Sequence, residues 1–287
     1  MKQTVLRVGV ILVVIVLVLI GGYFYISTDA ERLPENRPAA FLAGPAAKPG
    51  AKVVVCAGDS LTHGAVSVNY VELLSRKFPD GTYAFVNAGV NSSLAYNLNR
   101  RVEDIIRCNP DYVTILIGSN DANATLGDRT ARRLIRKMKL PRRPDRAWFR
   151  SNLVALCETL KARTHARIAL LSLPPIGEDV DSVAFRRAAE YSGIIREVAR
   201  SENVDYLPLN EAMTAGIRAR GQKPSLSHAG DTQLPLYAAL AKHYLLRQSY
   251  DEISAGNGFL YLTDLLHLNT RGATLVAGLV GAFITRK

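Results

Sequence analysis

Residues 52–60, KVVVCAGDS, decide how the rest of the chain is interpreted. Residues 52–57 form a short, largely apolar run that ends at a glycine, which is typical of a buried β-strand. Because the run is apolar on both faces, it predicts a parallel sheet covered by helices on each side. Ser60 follows where the strand turns towards the next element, so we expect its hydroxyl at the end of the sheet.

Four further segments repeat this pattern of short apolar runs bounded by turn residues. They predict strands at residues 83–88, 112–117, 167–173 and 206–209. Helical patterns lie between and after them, at residues 70–78, 94–107, 149–163, 183–201, 236–247 and 270–285. The alternation predicts an α/β protein, a three-layer α/β/α sandwich with functional residues at the carboxyl ends of its strands.

The N-terminal part of the chain is strongly apolar. Residues 8–26 carry no charge and, at about 1.5 Å per residue in a helix, are long enough to cross a bilayer. Lys2 and Arg7 precede the run, which predicts a cytoplasmic N-terminus and an extracytoplasmic domain. We therefore expect residues 1–26 to form a single-pass transmembrane signal anchor in the cytoplasmic membrane. A cleaved signal peptide and a secreted domain are the alternative, although Thr-Asp-Ala at 28–30 is a poor cleavage site.

Residues 27–51 are typical of a linker that holds the following domain away from the membrane. Their prolines, with Ala and Gly between them, have neither the period of a helix nor that of a strand. Residues 52–287 then form one domain, and 48% hydrophobic residues over the 287-residue chain exclude a disordered protein. Three cysteines are too few for a disulfide scaffold, so packing roles are expected for them.

The positive charge is concentrated as well. Of a formal net charge of +11, residues 128–150 contribute ten Lys and Arg minus two Asp, or +8. This basic insertion suits an anionic lipid or an acidic cell-wall polymer, and a solvated, poorly packed insertion is the alternative. No nucleic-acid-binding motif accompanies it, so no nucleic-acid partner is expected.

Two distant motifs can supply a nucleophile and its base. A serine hydroxyl is a weak nucleophile unless a base takes its proton, and Ser60 stands at the end of the first strand. Asp264 and His267 are three residues apart near the C-terminus. This spacing lets the carboxylate hold one ring nitrogen while the other serves the serine. Together these residues predict a Ser-His-Asp triad.

A reaction at Ser60 needs hydrogen-bond donors for an oxyanion, and the loops after the second and third strands offer them. Asn120, in Gly-Ser-Asn-Asp at 118–121, carries a side-chain amide at the required end of the sheet. The turn at residues 87–93 can direct a backbone N–H inwards, and the Ser60 N–H is a further donor. The other histidines share no metal-ligand spacing, so no metal ion is expected.

These blocks together resemble the SGNH (GDSL) hydrolase family of esterases and lipases over residues 52–287. Gly-Asp-Ser-Leu at 58–61 is similar to its nucleophile block, residues 118–121 to its Asn block, and residues 264–269 to its last block. The resemblance implies a flavodoxin-like fold, with Ser60 as nucleophile and His267 as base and acid. It further implies Asp264 as the partner that orients the histidine, and Asn120 and the Ser60 N–H as oxyanion donors. In the second block the resemblance implies a backbone N–H donor from a glycine. Ser92 stands at that position and Gly89 lies earlier, so both are candidates for the oxyanion hole.

The resemblance implies hydrolysis of carboxylic esters through an acyl-enzyme, with no cofactor. The family's substrates include lipids and acylated sugars, so an esterase or lipase and a polysaccharide or peptidoglycan O-acetyl esterase both stay open. A binding domain with an impaired site, suggested by Ser92, is the alternative from another class. The expected partners are an ester substrate, a membrane through the N-terminal run, and an anionic surface at residues 128–150.

Overall fold

The computed structural model of the chain describes residues 21, 22, 24–26, 28–44 and 47–286. The predicted membrane anchor, residues 1–26, therefore falls mainly outside the described residues. Among those that are described, no helix combines the length and apolar character needed to cross a membrane. Residues 24–26 and 28–30 are helical.

A five-stranded parallel sheet forms the centre of the protein, in the order β2-β1-β3-β4-β5. Its strands are β1 (Lys52–Gly58), β2 (Tyr83–Gly89), β3 (Tyr112–Leu116), β4 (Arg167–Leu171) and β5 (Asp205–Leu207). The predicted parallel sheet is thereby confirmed. The carboxyl ends of β1, β2 and β3 lie side by side, which brings together the loops that carry Ser60, Ser92 and Asn120.

Helices cover both faces of this sheet, as the sequence predicts for a three-layer α/β/α sandwich. They are α1 (Pro38–Ala43), α2 (Ser60–His63), α3 (Tyr70–Lys77), α4 (Ala95–Arg100), α5 (Val102–Arg107), α6 (Ser119–Ala124), α7 (Asp128–Met138), α8 (Arg146–Arg163), α9 (Val183–Ser201), α10 (Leu209–Arg220), α11 (Gln233–Tyr244), α12 (Tyr250–Gly256) and α13 (Thr270–Thr285). Val55 of β1 belongs to the core beneath α8 and α9, whereas Val54 belongs to the core beneath α3 and α13. Successive strand residues point to opposite faces, so the apolar run of β1 serves both cores.

The helix predicted at residues 94–107 is interrupted at Arg101. The Arg101 guanidinium turns inwards and donates to Ala88 O at 2.7 Å and to Gly58 O at 2.8 Å. These carbonyls lie at the ends of β2 and β1. The helix is therefore interrupted at the residue whose side chain makes this tertiary contact.

The described part of residues 27–51 packs on the domain, which differs from the predicted free linker. Asn36 accepts a hydrogen bond from Asn87 N at 3.0 Å and donates from its side chain to Phe85 O at 3.0 Å. Phe41 packs against the core beneath α8 and α9. The physical reason is that β2 is an edge strand, whose unpaired backbone groups require partners.

The basic insertion, residues 128–150, is folded and packed, unlike the solvated loop that was its alternative. Leu134 of α7 is buried in a small core with Leu94, Ala124 and Leu140. Within the described residues, five of its ten cations form ion pairs: Lys137 with Glu31, Arg142 with Asp145, Arg143 with Asp128, Arg146 with Glu190, and Arg150 with Glu197. Much of its positive charge is thus neutralised locally.

Candidate active site

Ser60 is the first residue of α2, directly beyond the carboxyl end of β1. Asp59 caps this short helix, since its Oδ1 accepts a hydrogen bond from Leu61 N at 3.0 Å. Gly58 makes the tight turn possible, because a Cβ there would lie 2.2 Å from Thr62 Oγ1 and 2.4 Å from Leu116 O. The Gly-Asp-Ser sequence therefore places the serine hydroxyl at the end of the sheet.

Ser60, His267 and Asp264 form a continuous hydrogen-bonded chain. Ser60 Oγ lies 2.9 Å from His267 Nε2, and His267 Nδ1 lies 2.9 Å from Asp264 Oδ2. Asp264 Oδ1 also accepts from His267 N at 2.8 Å, which holds both residues in one turn. Asp264 and His267 are only 2% and 3% exposed. The structure thus brings together the three residues that the sequence predicts as a triad.

Burial and charge act on this pair in opposite directions. Burial lowers the pKa of His267, but the Asp264 carboxylate, with a smaller effect from Asp59, leaves that pKa above its ordinary value of 6.5. Burial raises the pKa of Asp264, but His267 leaves it below its ordinary value of 3.8. Asp264 is therefore charged at neutral pH, and it favours a histidine that takes up a proton.

Ser60, Ser92 and Asn120 line the same cavity. Asn120 Nδ2 donates to Ser93 O at 3.1 Å, and it meets Asp59 Oδ2 only at 3.5 Å, a weak contact for a hydrogen bond. The backbone N–H groups of Ser60 and Ser92 have no acceptor among the described residues. These three groups have hydrogens available for an oxyanion.

The structure places Gly89 outside this group of donors. Its N–H is engaged with Asn87 Oδ1 at 3.0 Å, and the residue does not line the cavity. A Cβ at Gly89 would lie 2.1 Å from His63 N, so close packing of β2 against α2 requires the glycine. Gly89 therefore has a packing role, and the structure does not support the oxyanion role that the sequence left open for it.

Ser92 has a φ of 63°, in the left-handed region that favours glycine. This conformation explains why a glycine suits the position. The serine adopts this backbone conformation, and the residue lines the cavity.

Two further buried carboxylates hold the turns around the site. Burial raises the pKa of Asp59 to about 6 and that of Asp121 to about 7. Asp121 Oδ2 accepts from Ala95 N at 3.1 Å, and Asp59 caps α2. Neither residue lines the cavity, so both organise loops that carry the site.

Glu178 was missed by the sequence analysis, although it fixes the loop that leads to Asp264. Its carboxylate is 3% exposed and accepts from the backbone N–H groups of Leu260, Tyr261 and Leu262 at 2.6, 2.7 and 2.9 Å. The one available signal was its place shortly after β4, at the carboxyl end of the sheet. Glu178 therefore positions the loop before the triad.

A cavity of about 220 Å³ opens onto Ser60 and His267. Its other side is formed by three segments: the described part of residues 24–31, α7 and α11. The basic insertion, which contains α7, follows the Asn120 loop and is expected near the site, whereas the sequence did not connect the other two segments with it. We call all three segments the cover. They contribute Ile26, Ala30, Glu31, Arg133, Lys137, Gln233, Leu236, Tyr237 and Leu240 to the cavity lining.

The three cysteines do not line the cavity. Cys56, Cys108 and Cys157 are buried free thiols. Across the part of the chain that is described, no group of three or more His, Cys, Asp or Glu side chains is arranged to hold a metal ion.

Comparison with known proteins agrees with this architecture. A model of the GDSL-like lipase/acylhydrolase family matches residues 56–275, which confirms the resemblance found in the sequence. No curated protein matches the chain. An acetyl xylan esterase, AlAXEase, has a similar structure, with a TM-score of 0.55, 22% identity, and coverage of 81% of this chain and 99% of that one.

Two other solved structures show the same likeness. A catalytic mutant of Axe2, an acetylxylan esterase from Geobacillus stearothermophilus, has a TM-score of 0.58 at 17% identity, with 83% of this chain and 96% of that chain covered. A lipase/acylhydrolase from Enterococcus faecalis has a TM-score of 0.53 at 21% identity, with 81% and 95% covered. At these identities the likeness establishes the shared fold.

Proposed function

The chain belongs to the GDSL-like lipase/acylhydrolase family, and from this we propose that it hydrolyses carboxylic esters through Ser60, His267 and Asp264. Family membership supports ester hydrolysis in general. The observation that carries the individual roles is the hydrogen-bonded chain from Ser60 Oγ to His267 Nε2 and from His267 Nδ1 to Asp264 Oδ2, at 2.9 Å each.

In the first half of the reaction, Ser60 Oγ attacks the ester carbonyl carbon while its proton passes to His267 Nε2. Asp264 stabilises the imidazolium that forms. The carbonyl oxygen becomes an oxyanion, for which the N–H groups of Ser60 and Ser92 and the Asn120 amide are the donors. The bond to the alcohol oxygen then breaks, that oxygen takes the proton from His267, and the acyl group stays on Ser60.

In the second half, water replaces the alcohol. His267 takes a proton from the water as its oxygen attacks the acyl carbon, and the same donors stabilise the second oxyanion. The bond to Ser60 Oγ breaks, and His267 returns its proton to the serine. The acid leaves, and each group of the enzyme ends in its starting state.

The cavity size favours short acyl groups. At about 220 Å³, the cavity is smaller than the roughly 300–1,000 Å³ of pockets that bury drug-sized ligands. It therefore favours an O-acetyl esterase of a polysaccharide or of peptidoglycan over a lipase for long chains. Two of the similar structures are described as acetyl xylan esterases, which is consistent with acetyl transfer to water.

Fluorophosphonate labelling and an ester series test this proposal. We expect the wild type to be labelled at Ser60, and Ser60→Ala to lose the label and about 10⁶-fold in kcat. Among p-nitrophenyl esters, kcat/KM should be highest for acetyl and fall steadily towards dodecanoyl. A maximum at long chains would contradict the short-acyl preference.

Ser119→Ala is the matched control, because Ser119 Oγ is buried near the site without a hydrogen-bond partner in the structure. This variant should keep both the label and the activity. A folded wild-type protein with neither label nor hydrolysis would contradict the esterase and fit a binding domain with an impaired site.

We also propose that residues 8–26 anchor the chain in the cytoplasmic membrane, with the catalytic domain outside the cytoplasm. The apolar run and the preceding Lys2 and Arg7 support this orientation. Ile26 and Ala30 line the cavity, so cleavage after residue 30 would remove part of its wall. This supports an uncleaved anchor over a signal peptide.

Extraction and N-terminal sequencing test the anchor. We expect the protein to stay in the membrane fraction after alkaline carbonate treatment, with its N-terminal residues intact. A periplasmic reporter fused to the C-terminus should be active. A soluble form that begins near residue 31 would contradict the proposal.

A further inference from the structure

Arg133 is a cation without a partner in the catalytic cavity. Its guanidinium forms no ion pair with any residue that the structure describes, and its Nε is buried without a hydrogen-bond acceptor. Lys137 lies one turn later on α7 and lines the same cavity, but it pairs with Glu31 at 3.2 Å. Of these two cavity cations, Arg133 is the one whose charge is not neutralised.

One carboxylate acts on Arg133 without pairing with it. Burial lowers the pKa of Arg133, and the Asp231 carboxylate offsets this only in part. Asp231 is not in ion-pair contact with Arg133, and its Oδ1 instead accepts from Gln233 N at 3.1 Å. Since Lys137 and Glu31 balance each other, the cover presents one net positive charge to the cavity.

Asn91 supplies a second unsatisfied group in this cavity. Its Nδ2 donates to Ala30 O at 2.7 Å and to Glu31 Oε2 at 3.3 Å, which fixes the orientation of the amide. Its Oδ1 is then buried without a donor. Arg133 Nε and Asn91 Oδ1 are both shielded from solvent, so the guanidinium of Arg133, a residue that lines the cavity without an ion-pair partner among the described residues, is the group that an anionic ligand can satisfy.

We propose that Arg133 binds an anionic group, a carboxylate or a phosphate, on the alcohol part of the ester substrate. The proposal rests on the esterase function proposed above. The planar guanidinium can donate two parallel hydrogen bonds to either anion. An acetylated sugar acid provides such an anion, whereas an acetylated neutral sugar does not.

A subsite for the alcohol part of the ester affects only the first half of the reaction. The alcohol leaves before water attacks the acyl-enzyme, so an alcohol-side subsite acts on acylation and raises kcat/KM for anionic esters. Hydrolysis of the acyl-enzyme does not involve Arg133. A substrate whose turnover is limited by that second half therefore keeps its kcat when Arg133 is replaced.

The test compares matched acetyl esters of glucose, glucuronate, glucose 6-phosphate and glycerol 3-phosphate. For the wild type, we expect kcat/KM for acetylated glucuronate to exceed that for acetylated glucose by about 10- to 100-fold, as charge-assisted hydrogen bonds permit. Arg133→Gln should remove this preference, because it should lower kcat/KM for the glucuronate ester by about that factor and for the glucose ester by much less. Arg132→Gln, an exposed cation on the same helix, is the control and should keep the preference.

A binding arm separates this proposal from the esterase function. Calorimetry on Ser60→Ala should show glucuronate binding at least about tenfold more tightly than glucose, with the difference lost in Ser60→Ala/Arg133→Gln and reduced at high salt. If no ester is hydrolysed but this difference is found, the function fails and the anion subsite stands. A preference for the glycerol phosphate ester over the sugar acids would support the subsite and assign its anion to a lipid headgroup. Hydrolysis without any preference for anions, unchanged in Arg133→Gln, would overturn the proposal.

Discussion

The two sides of the catalytic cavity are held together in different ways. On the catalytic side, the loop before Asp264 is fixed by three backbone hydrogen bonds to the buried Glu178. On the cover, the Lys137–Glu31 pair is 46% and 58% exposed, and such surface pairs contribute only about 0–1 kcal/mol. The cover otherwise relies on two small apolar clusters, one that contains Ala30 and Leu240 and one that contains Leu134, and on hydrogen bonds from Asn91.

This difference assigns separate roles to the two sides: the catalytic side carries out the reaction, and the cover recognises the substrate. Buried, fully paired polar groups hold their atoms within the narrow limits that proton transfer requires. Helices held by small apolar clusters and exposed ion pairs belong to the less stable end of a structure, and they can adapt to different alcohols. Changes on the catalytic side should therefore lower kcat, and changes on the cover should mainly alter KM.

Among changes that leave the nucleophile in place, the largest effect is expected from Asp264→Asn. This change keeps the shape of the side chain but removes the charge that holds His267 in the required tautomer, so kcat should fall by about 10⁴-fold. A tenfold effect or less would show that Asp264 does not act through His267. Ser119→Ala serves as the control for a change beside the site without loss of a triad member.

The same variant has a pH signature. In the wild type, protonated His267 cannot take the serine proton, so kcat/KM should fall as pH drops through a pKa above 6.5. Asp264 is the main group that raises this pKa, so the acidic limb of the residual activity should move to lower pH in Asp264→Asn. If the acidic limb does not move, it reports the titration of another group, such as Asp59.

Most of the fold was predictable because the sheet is buried on both faces. A largely apolar run such as residues 52–57 has few other stable locations in a protein of this size. The break at Arg101 was not predictable, because the carbonyls that its guanidinium contacts belong to β1 and β2. Local patterns report local structure, and they carry no information about partners brought close by folding.

The candidate site likewise has a part that could be predicted from the sequence and a part that could not. Ser60, Asn120 and the Asp264–His267 pair belong to short motifs whose geometry is set within one turn. The cover brings together segments that are far apart in the chain, and each contributes residues one helical turn apart, such as Arg133 with Lys137 and Leu236 with Leu240. In the sequence these pairs resemble ordinary helix faces, so only the packing reveals their role.

Glu178→Gln tests the rigidity of the catalytic side. The amide nitrogen would face a backbone N–H in place of an oxygen acceptor, which should lower the free energy of unfolding by about 1–3 kcal/mol in urea titrations. Activity should fall by up to about tenfold, because the loop leads to Asp264. Glu158→Gln, at an exposed position, should change neither quantity. Unaltered stability in Glu178→Gln would remove the proposed difference between the two sides.

Leu236→Ala tests the cover. Leu236 lines the cavity and packs against the apolar cluster that contains Ala30 and Leu240, so its truncation should raise KM by about three- to tenfold and leave kcat within about twofold. Leu234→Ala is the control, since Leu234 is 79% exposed and does not line the cavity. A tenfold loss of kcat in Leu236→Ala would show that the cover also positions the reacting groups.

The smallest effect is expected from Ser92→Gly, at the point where the two sides meet. Asn91 holds the cover through Ala30 O, and Ser93 O accepts from Asn120, so Ser92 links both. Glycine relieves the left-handed backbone at φ 63° and should raise the free energy of unfolding by about 0.5 kcal/mol. Arg247→Gly, at φ 57°, should give a similar gain without any effect on the site. If the donor is the Ser92 N–H, kcat should stay within about threefold; a larger change would show that the side chain shapes the oxyanion hole.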